Sequence, residues 1–176
     1  MPLATLPVLT PALPEIFLAV AALLLLMAGV FSNAETNTRT ISYASILVLL
    51  VTIPFVGMVT EGRSVTFGGA FVTDTFAVYI KALVLISAAA AILMSKDYLK
   101  IQGIERFEFP VLIVLATLGM MMMISANDLI ALYLGIELQS LSLYVIASFQ
   151  RDSTRSAEAG LKYFVLGALS SGMMLY

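Results

Sequence analysis

Long apolar stretches without charged side chains recur along this 176-residue chain, and they constrain its fold more than any other feature. A helix rises about 1.5 Å per residue, so about 20 apolar residues cross a bilayer hydrocarbon core about 30 Å thick. Segments of this kind lie at about residues 13–31, 41–59, 71–94, 109–125, 129–149 and 156–176. We therefore predict an all-α, polytopic transmembrane helix bundle of about six spanning helices, forming a single domain over residues 1–176.

The composition excludes several classes of protein and site. The chain is 61% hydrophobic and 11% charged, whereas soluble domains average about 45–50% apolar and about 25% charged residues. It contains no cysteine and no histidine, which removes disulfides, cysteine-ligated zinc or iron–sulfur sites and histidine-ligated haem. The net charge of −2 gives no indication of nucleic-acid binding, and the sequence contains no P-loop and no dinucleotide-binding fingerprint. Any proton chemistry would have to use carboxylates, lysines, tyrosines and water.

Basic residues in alternate loops predict the orientation, because cytoplasmic loops are enriched in lysine and arginine. The odd-numbered loops and the helix ends beside them hold Arg39, Lys96, Lys100, Arg106, Arg151 and Arg155, whereas the even-numbered loops hold Arg63 alone. This bias predicts a periplasmic N-terminus. The stretch 95–108 is the most charged in the chain, and we predict a solvated loop there.

Two ionisable residues lie close enough to the ends of their segments to reach the membrane surface. Glu15 is near the start of the first segment, where its carboxylate is predicted to act as an interfacial cap at the positive end of the helix dipole. Lys81 is within about three turns of the start of the third segment. Its long aliphatic stem predicts that the ammonium group snorkels to the interface.

Glu137 lies too deep in its segment to act as an interfacial cap or to snorkel to the membrane surface. It lies roughly 12 Å from one end of its segment and 18 Å from the other, at a depth where an ionised residue costs roughly 2.5 kcal/mol or more. Tyr133, Ser140, Tyr144 and Ser148 project on the same side of the helix, so the five residues form a polar stripe. Such a stripe must face protein or water. Glu137 either binds and releases protons or makes a neutral hydrogen-bonded contact between helices.

Lys162 in the sixth segment also has two interpretations. Glu158 precedes it by four residues, the favourable order for a helical ion pair. Alternatively, Lys162 could take part in a water-bridged proton relay that runs from the cytoplasmic side to Glu137. Gly135 and the small residues of the sixth segment are predicted to allow close helix packing.

Two stretches of sequence carry a resemblance to a known family. They are LYLGIELQSLSLY at residues 132–144 and EAGLKYFVLGALSSG at residues 158–172. Together they closely resemble the subunit N family of bacterial NADH-quinone oxidoreductase, respiratory complex I, which is one of the antiporter-like families. Members have about fourteen spanning helices, so the resemblance implies that this chain corresponds to an N-terminal portion. The resemblance implies a role in proton transfer for Glu137 and Lys162, because they match membrane residues that have this role in the family.

The resemblance implies a proton-translocating membrane-arm subunit that couples NADH-to-quinone electron transfer on other subunits to proton pumping. It implies no redox cofactor in this chain, with NADH, FMN, iron–sulfur clusters and quinone bound by other subunits. The implied partners are a neighbouring antiporter-like subunit, small membrane subunits and lipid of the bacterial inner membrane. Two other functions stay open, namely a subunit of a multi-component cation/proton antiporter and a scaffold that only fills the membrane arm.

Overall fold

Six long helices dominate the described part of the chain, which in this computed structural model comprises residues 9–31, 34–58 and 62–176, with the side chains of residues 34–37 not described. The helices are α1 (Leu13–Phe31), α2 (Ala34–Met58), α3 (Thr75–Ile101), α4 (Glu108–Ser125), α5 (Leu129–Ala147) and α6 (Thr154–Leu175). A short 3₁₀ turn, Thr10–Ala12, leads into α1. The predicted all-α class is confirmed.

Five of these helices have the length and hydropathy to cross a membrane, counted over the described ranges. They are α1 to α5, with Thr10–Ala12 included in the first and Thr38 as the first residue of the second. α6 is 22 residues long but is less apolar, because Arg155, Glu158 and Lys162 all lie in its first half. Large apolar side chains point outward along the bundle, for example Leu23 and Leu24 of α1 at 60% and 64% exposure. Surfaces of this kind are suited to lipid, and the chain is a multi-pass membrane protein.

α4 lies at the centre of the packing. It contacts α1, α2, α3 and α5, while α6 packs on α5. The main core joins the first four helices through fully buried side chains such as Leu18, Leu49, Leu85 and Val114. The helices that contact α4 therefore form the centre of the bundle, and α6 lies at its edge.

The predicted start of the third helix is wrong. Phe71–Thr73 is a β-strand, β2, that pairs antiparallel with β1, Ser64–Thr66. The helix begins only at Thr75, after the Asp74 side chain accepts a hydrogen bond from the Ala77 amide at 2.7 Å. The apolar residues at the start of the segment thus belong to a hairpin, whose β2 also forms a bridge with Ala126 before α5.

The predicted solvated loop at 95–108 is also partly wrong, because α3 continues to Ile101. Lys96 lies in this extension with its Nζ atom 3.2 Å from the ring centroid of Tyr43 on α2. The ammonium nitrogen is buried and has no hydrogen-bond partner among residues 9–31, 34–58 and 62–176. A charge-rich sequence can remain helical here because the aromatic face stabilises the cation.

α2 begins earlier than predicted, at Ala34 rather than near residue 41, and it continues through Pro54. The first residues of α2 are polar but already helical. The change in hydropathy therefore marks where the helix enters the membrane, and not where the helix begins. The predicted end at residue 59 lies outside the described residues.

The two ends of the bundle differ in charge. The hairpin, the start of α1 and the turn at Asn127 share one end, where the Asn127 amide donates to the Ala70 carbonyl at 2.9 Å. The opposite end carries the ends of α3 and α5 and the starts of α2, α4 and α6. Six of the nine basic residues lie at that end, which we call the basic end: Arg39, Lys96, Lys100, Arg106, Arg151 and Arg155.

Candidate functional site

Two glycines fix the position of α5 against α4. A Cβ atom on Gly119 would lie 2.6 Å from the Gln139 nitrogen and 2.8 Å from the Gly135 carbonyl oxygen. A Cβ atom on Gly135 would meet Met123 at 2.7 Å. The two backbones therefore touch at this crossing, as predicted for Gly135, and the side chains that follow it are held at a defined height.

Glu137 lies two residues beyond this crossing, in the middle of α5. Its side chain is half-buried, and its Oε1 atom is buried without a hydrogen-bond partner in the part of the chain that the structure describes. Tyr133, one turn earlier on the same helix, interacts with the Glu137 carboxylate. A carboxylate with an unfilled acceptor in an apolar helix can take a proton or a water molecule there.

The rest of the polar stripe faces α6. Tyr144 is buried, and its ring packs edge-to-face against Tyr163 at a centroid distance of 4.8 Å. Ser148 donates to the Tyr144 carbonyl oxygen at 3.1 Å, so its hydroxyl helps to end α5. Ser140 is half-buried. Since all these positions project on one side of α5, Glu137 lies on the face that turns toward α6, about 10 Å from Tyr144 along the axis.

α6 packs on α5 through its glycines, as predicted. Gly160 lies against Ser148, and Gly167 lies against the Tyr144 ring so closely that a Cβ atom would overlap the hydroxyl. Gly172, by contrast, has open space around it. Seven residues return a helix to nearly the same face, so Gly160 and Gly167 define the face of α6 that contacts α5.

This packing separates Lys162 from Glu137. Lys162 follows Gly160 by two residues and therefore points about 200° away, to the side of α6 opposite α5. Its Nζ atom lies 2.6 Å from Glu158 Oε1, and the two side chains are 70% and 63% exposed. Its level corresponds to about residue 147 of α5, about 15 Å from Glu137 along the axis. The structure forms the predicted i,i+4 pair and does not bring Lys162 and Glu137 together.

A buried ion pair joins Glu15 and Lys81, and sequence reasoning missed it. Lys81 Nζ lies 2.5 Å from Glu15 Oε1, with the side chains 1% and 7% exposed. The Lys81 ammonium also lies 5.1 Å from the ring centroid of Phe71 in the hairpin. The predicted snorkelling of Lys81 and the predicted interfacial cap at Glu15 are both wrong, because each charge is compensated inside the bundle. Glu15 and Lys81 both lie near the N-terminal ends of their helices, so they have a similar depth in the membrane. That similar depth was the feature of the sequence that could have predicted the pair.

The chain is similar to a known family model and to several known proteins. The family model described as "NADH:quinone oxidoreductase/Mrp antiporter, TM" matches residues 126–176, which include α5 and α6. NADH-quinone oxidoreductase subunit N of Parvibaculum lavamentivorans is 55% identical over 174 residues, which is 99% of this chain and 36% of the relative. The protein of the same name from Rhodospirillum rubrum is 55% identical over 171 residues, 96% of this chain and 35% of the relative.

A solved structure agrees with these relatives. A chain of respiratory complex I from Thermus thermophilus, determined with bound aureothin, superposes with a TM-score of 0.76 at 26% identity. The match covers 93% of this chain and 35% of that chain. The chain thus spans about a third of the length of the relatives that it matches. It is similar over nearly its whole length to part of NADH-quinone oxidoreductase subunit N, and its fold matches the corresponding part of an antiporter-like membrane subunit of complex I.

Proposed function

We propose that the chain is part of a proton-translocating membrane-arm subunit of a NADH-quinone oxidoreductase, in which Glu137 binds and releases the proton. The observation that carries this proposal is the buried and unpartnered Oε1 atom of Glu137 in the middle of α5. A carboxylate at this depth is costly, and proteins retain such groups mainly along ion and proton pathways.

The neighbours of Glu137 fit this role. The contact between Gly119 and Gly135 fixes the height of the carboxylate, and Tyr133 offers a hydroxyl that can donate to it. An interhelical packing contact would instead give the carboxylate a partner on another helix. The described ranges supply none to Oε1, so a packing contact of that kind would need a residue outside them.

Lys162 has a different place in the proposal. It lies on the side of α6 away from α5, so any partner besides Glu158 would come from outside the described residues. We propose that it bears on the proton route from that side, as a relay or modulating cation, and that its influence on Glu137 passes through intervening groups or water. The relatives are about three times as long, which leaves room for such groups.

The proposal places electron transfer on other subunits. The chain has no cysteine or histidine to ligate a metal centre, and its described residues contain no cluster of three or more carboxylates that could hold a metal ion. NADH, FMN, iron–sulfur clusters and quinone would be bound elsewhere in the complex. We further propose a bacterial inner-membrane location with the N-terminus periplasmic, from the basic side chains gathered at the opposite end.

The test is Glu137→Gln in the intact subunit within its assembled complex. Inverted membrane vesicles would be given NADH, with oxidation followed by absorbance and proton uptake by quenching of a pH-sensitive dye. We expect a lower ratio of proton uptake to NADH oxidation, because the amide cannot carry a proton. The matched control is Glu105→Gln, which makes the same chemical change in the loop before α4. An unchanged ratio in Glu137→Gln would refute the proposal.

A second candidate function is a subunit of a multi-component cation/proton antiporter. The observation that favours this second candidate is the description of the matching family model, which includes Mrp antiporters. The same vesicles distinguish the two, since an antiporter would dissipate an imposed pH gradient on addition of sodium without NADH. A scaffold function instead predicts that Glu137→Ala reduces the amount of assembled complex and leaves the proton ratio unchanged.

A further inference from the structure

A groove opens between α1, α4 and α5 at the basic end of the bundle. Its volume is about 360 Å³. The wall that runs toward the membrane centre is apolar and includes Leu26, Leu112, Leu115 and Val145. Leu115 is seven residues into α4, so the groove reaches about 10 Å below the helix end.

The mouth of the groove carries two arginines. Arg106 lies just before α4 and Arg151 just after α5, and both side chains are exposed. Neither forms an ion pair with the described part of the chain. Glu108, half-buried in the first turn of α4, is the one acidic residue of the lining. The lining therefore has a net charge of +1, with the positive charges outermost.

We propose that this groove binds an anionic phospholipid of the phosphatidylglycerol type. The phosphate lies between Arg106 and Arg151, and an acyl chain follows the apolar wall. Guanidinium groups bind phosphate oxygens strongly, and basic pockets between spanning helices on the cytoplasmic side suit anionic headgroups. The order of charge above apolar surface matches the order of head and tail in a lipid.

The charges at the mouth of the groove distinguish a lipid from a docked apolar helix. The two unpaired arginines favour an anionic ligand over an apolar segment of protein, because burying them without a counter-charge would be costly.

Photolabelling of the intact subunit in its assembled complex tests this proposal. The complex would be reconstituted in phosphatidylcholine vesicles that contain a small proportion of photoactivatable phosphatidylglycerol or, separately, photoactivatable phosphatidylcholine. Both probes carry the reactive group on an acyl chain, and labelled peptides are located by mass spectrometry. We expect phosphatidylglycerol to label peptides containing Leu26 and Leu115 more than phosphatidylcholine does.

Paired substitutions distinguish a site from general surface attraction. Loss of each arginine should lower the affinity about fivefold, so Arg106→Gln/Arg151→Gln should reduce the phosphatidylglycerol labelling to the phosphatidylcholine level. The control Lys100→Gln/Arg155→Gln removes the same charge at the same end, outside the groove. Equal labelling by both lipids, equal loss in both double variants, or a groove that neither probe labels would overturn the proposal.

Discussion

Replacing Lys81 by Met would break the buried ion pair while keeping most of the side-chain volume. Glu15 would then remain without a counter-charge, in a site where its side chain is 7% exposed. Neither of its carboxylate oxygens has a hydrogen bond of good geometry to the described residues, so the Lys81 ammonium at 2.5 Å is their main compensation. Removing one partner of a buried pair costs about 3–5 kcal/mol. We expect Lys81→Met to lower the free energy of unfolding by this amount.

A second substitution should restore stability. Glu15→Leu/Lys81→Met removes both charges from the bundle, and apolar replacement of a buried pair is often neutral or stabilising by about 1–4 kcal/mol. The double variant should therefore be much more stable than Lys81→Met alone. This non-additivity distinguishes a direct pair from two independent effects.

The assay is unfolding of the intact subunit in mixed micelles with increasing sodium dodecyl sulfate, followed by far-ultraviolet circular dichroism. Lys100→Met is the matched control, because Lys100 is exposed and forms no ion pair with the described residues. It should change the free energy of unfolding by less than about 0.5 kcal/mol. A comparably small effect of Lys81→Met, or additive effects of the Glu15 and Lys81 substitutions, would refute the buried pair.

Two further predictions concern helix packing and use the same unfolding assay. Gly135→Ala should lower the free energy of unfolding by about 1–3 kcal/mol, because its Cβ atom would lie 2.9 Å from the Met123 backbone nitrogen. The control Gly172→Ala lies in open space and should be neutral or stabilising by up to about 1 kcal/mol. Equal effects of the two substitutions would contradict the close crossing of α4 and α5. Gly167→Ala should be destabilising through overlap with the Tyr144 hydroxyl, and Tyr144→Phe should relieve part of that loss; strictly additive effects would contradict this contact.

The sequence predicted the helical bundle because uncharged runs of spanning length leave a chain few other folds in lipid. The same hydropathy criterion misplaced some helix ends, because it identifies the residues within the membrane and not the residues joined by helical backbone hydrogen bonds. Phe71 is apolar but belongs to a strand, and Lys96 is charged but remains in α3 above the ring of Tyr43.

The candidate site was predictable only in part. Glu137 could be identified because its depth is a property of one helix, whereas Glu15 and Lys81 come together only when the whole bundle has formed. The orientation of Lys162 was within reach, because Gly160 and Gly167 are seven residues apart and mark the face that contacts α5.

The central claim is that the Glu137 carboxylate takes up and releases a proton. Infrared difference spectroscopy tests it most directly, by comparing the assembled complex at rest and during NADH oxidation. We predict a change in the carbonyl stretch of a protonated carboxylic acid that disappears in Glu137→Gln and persists in Glu105→Gln. The same band in wild type and Glu137→Gln would contradict the account.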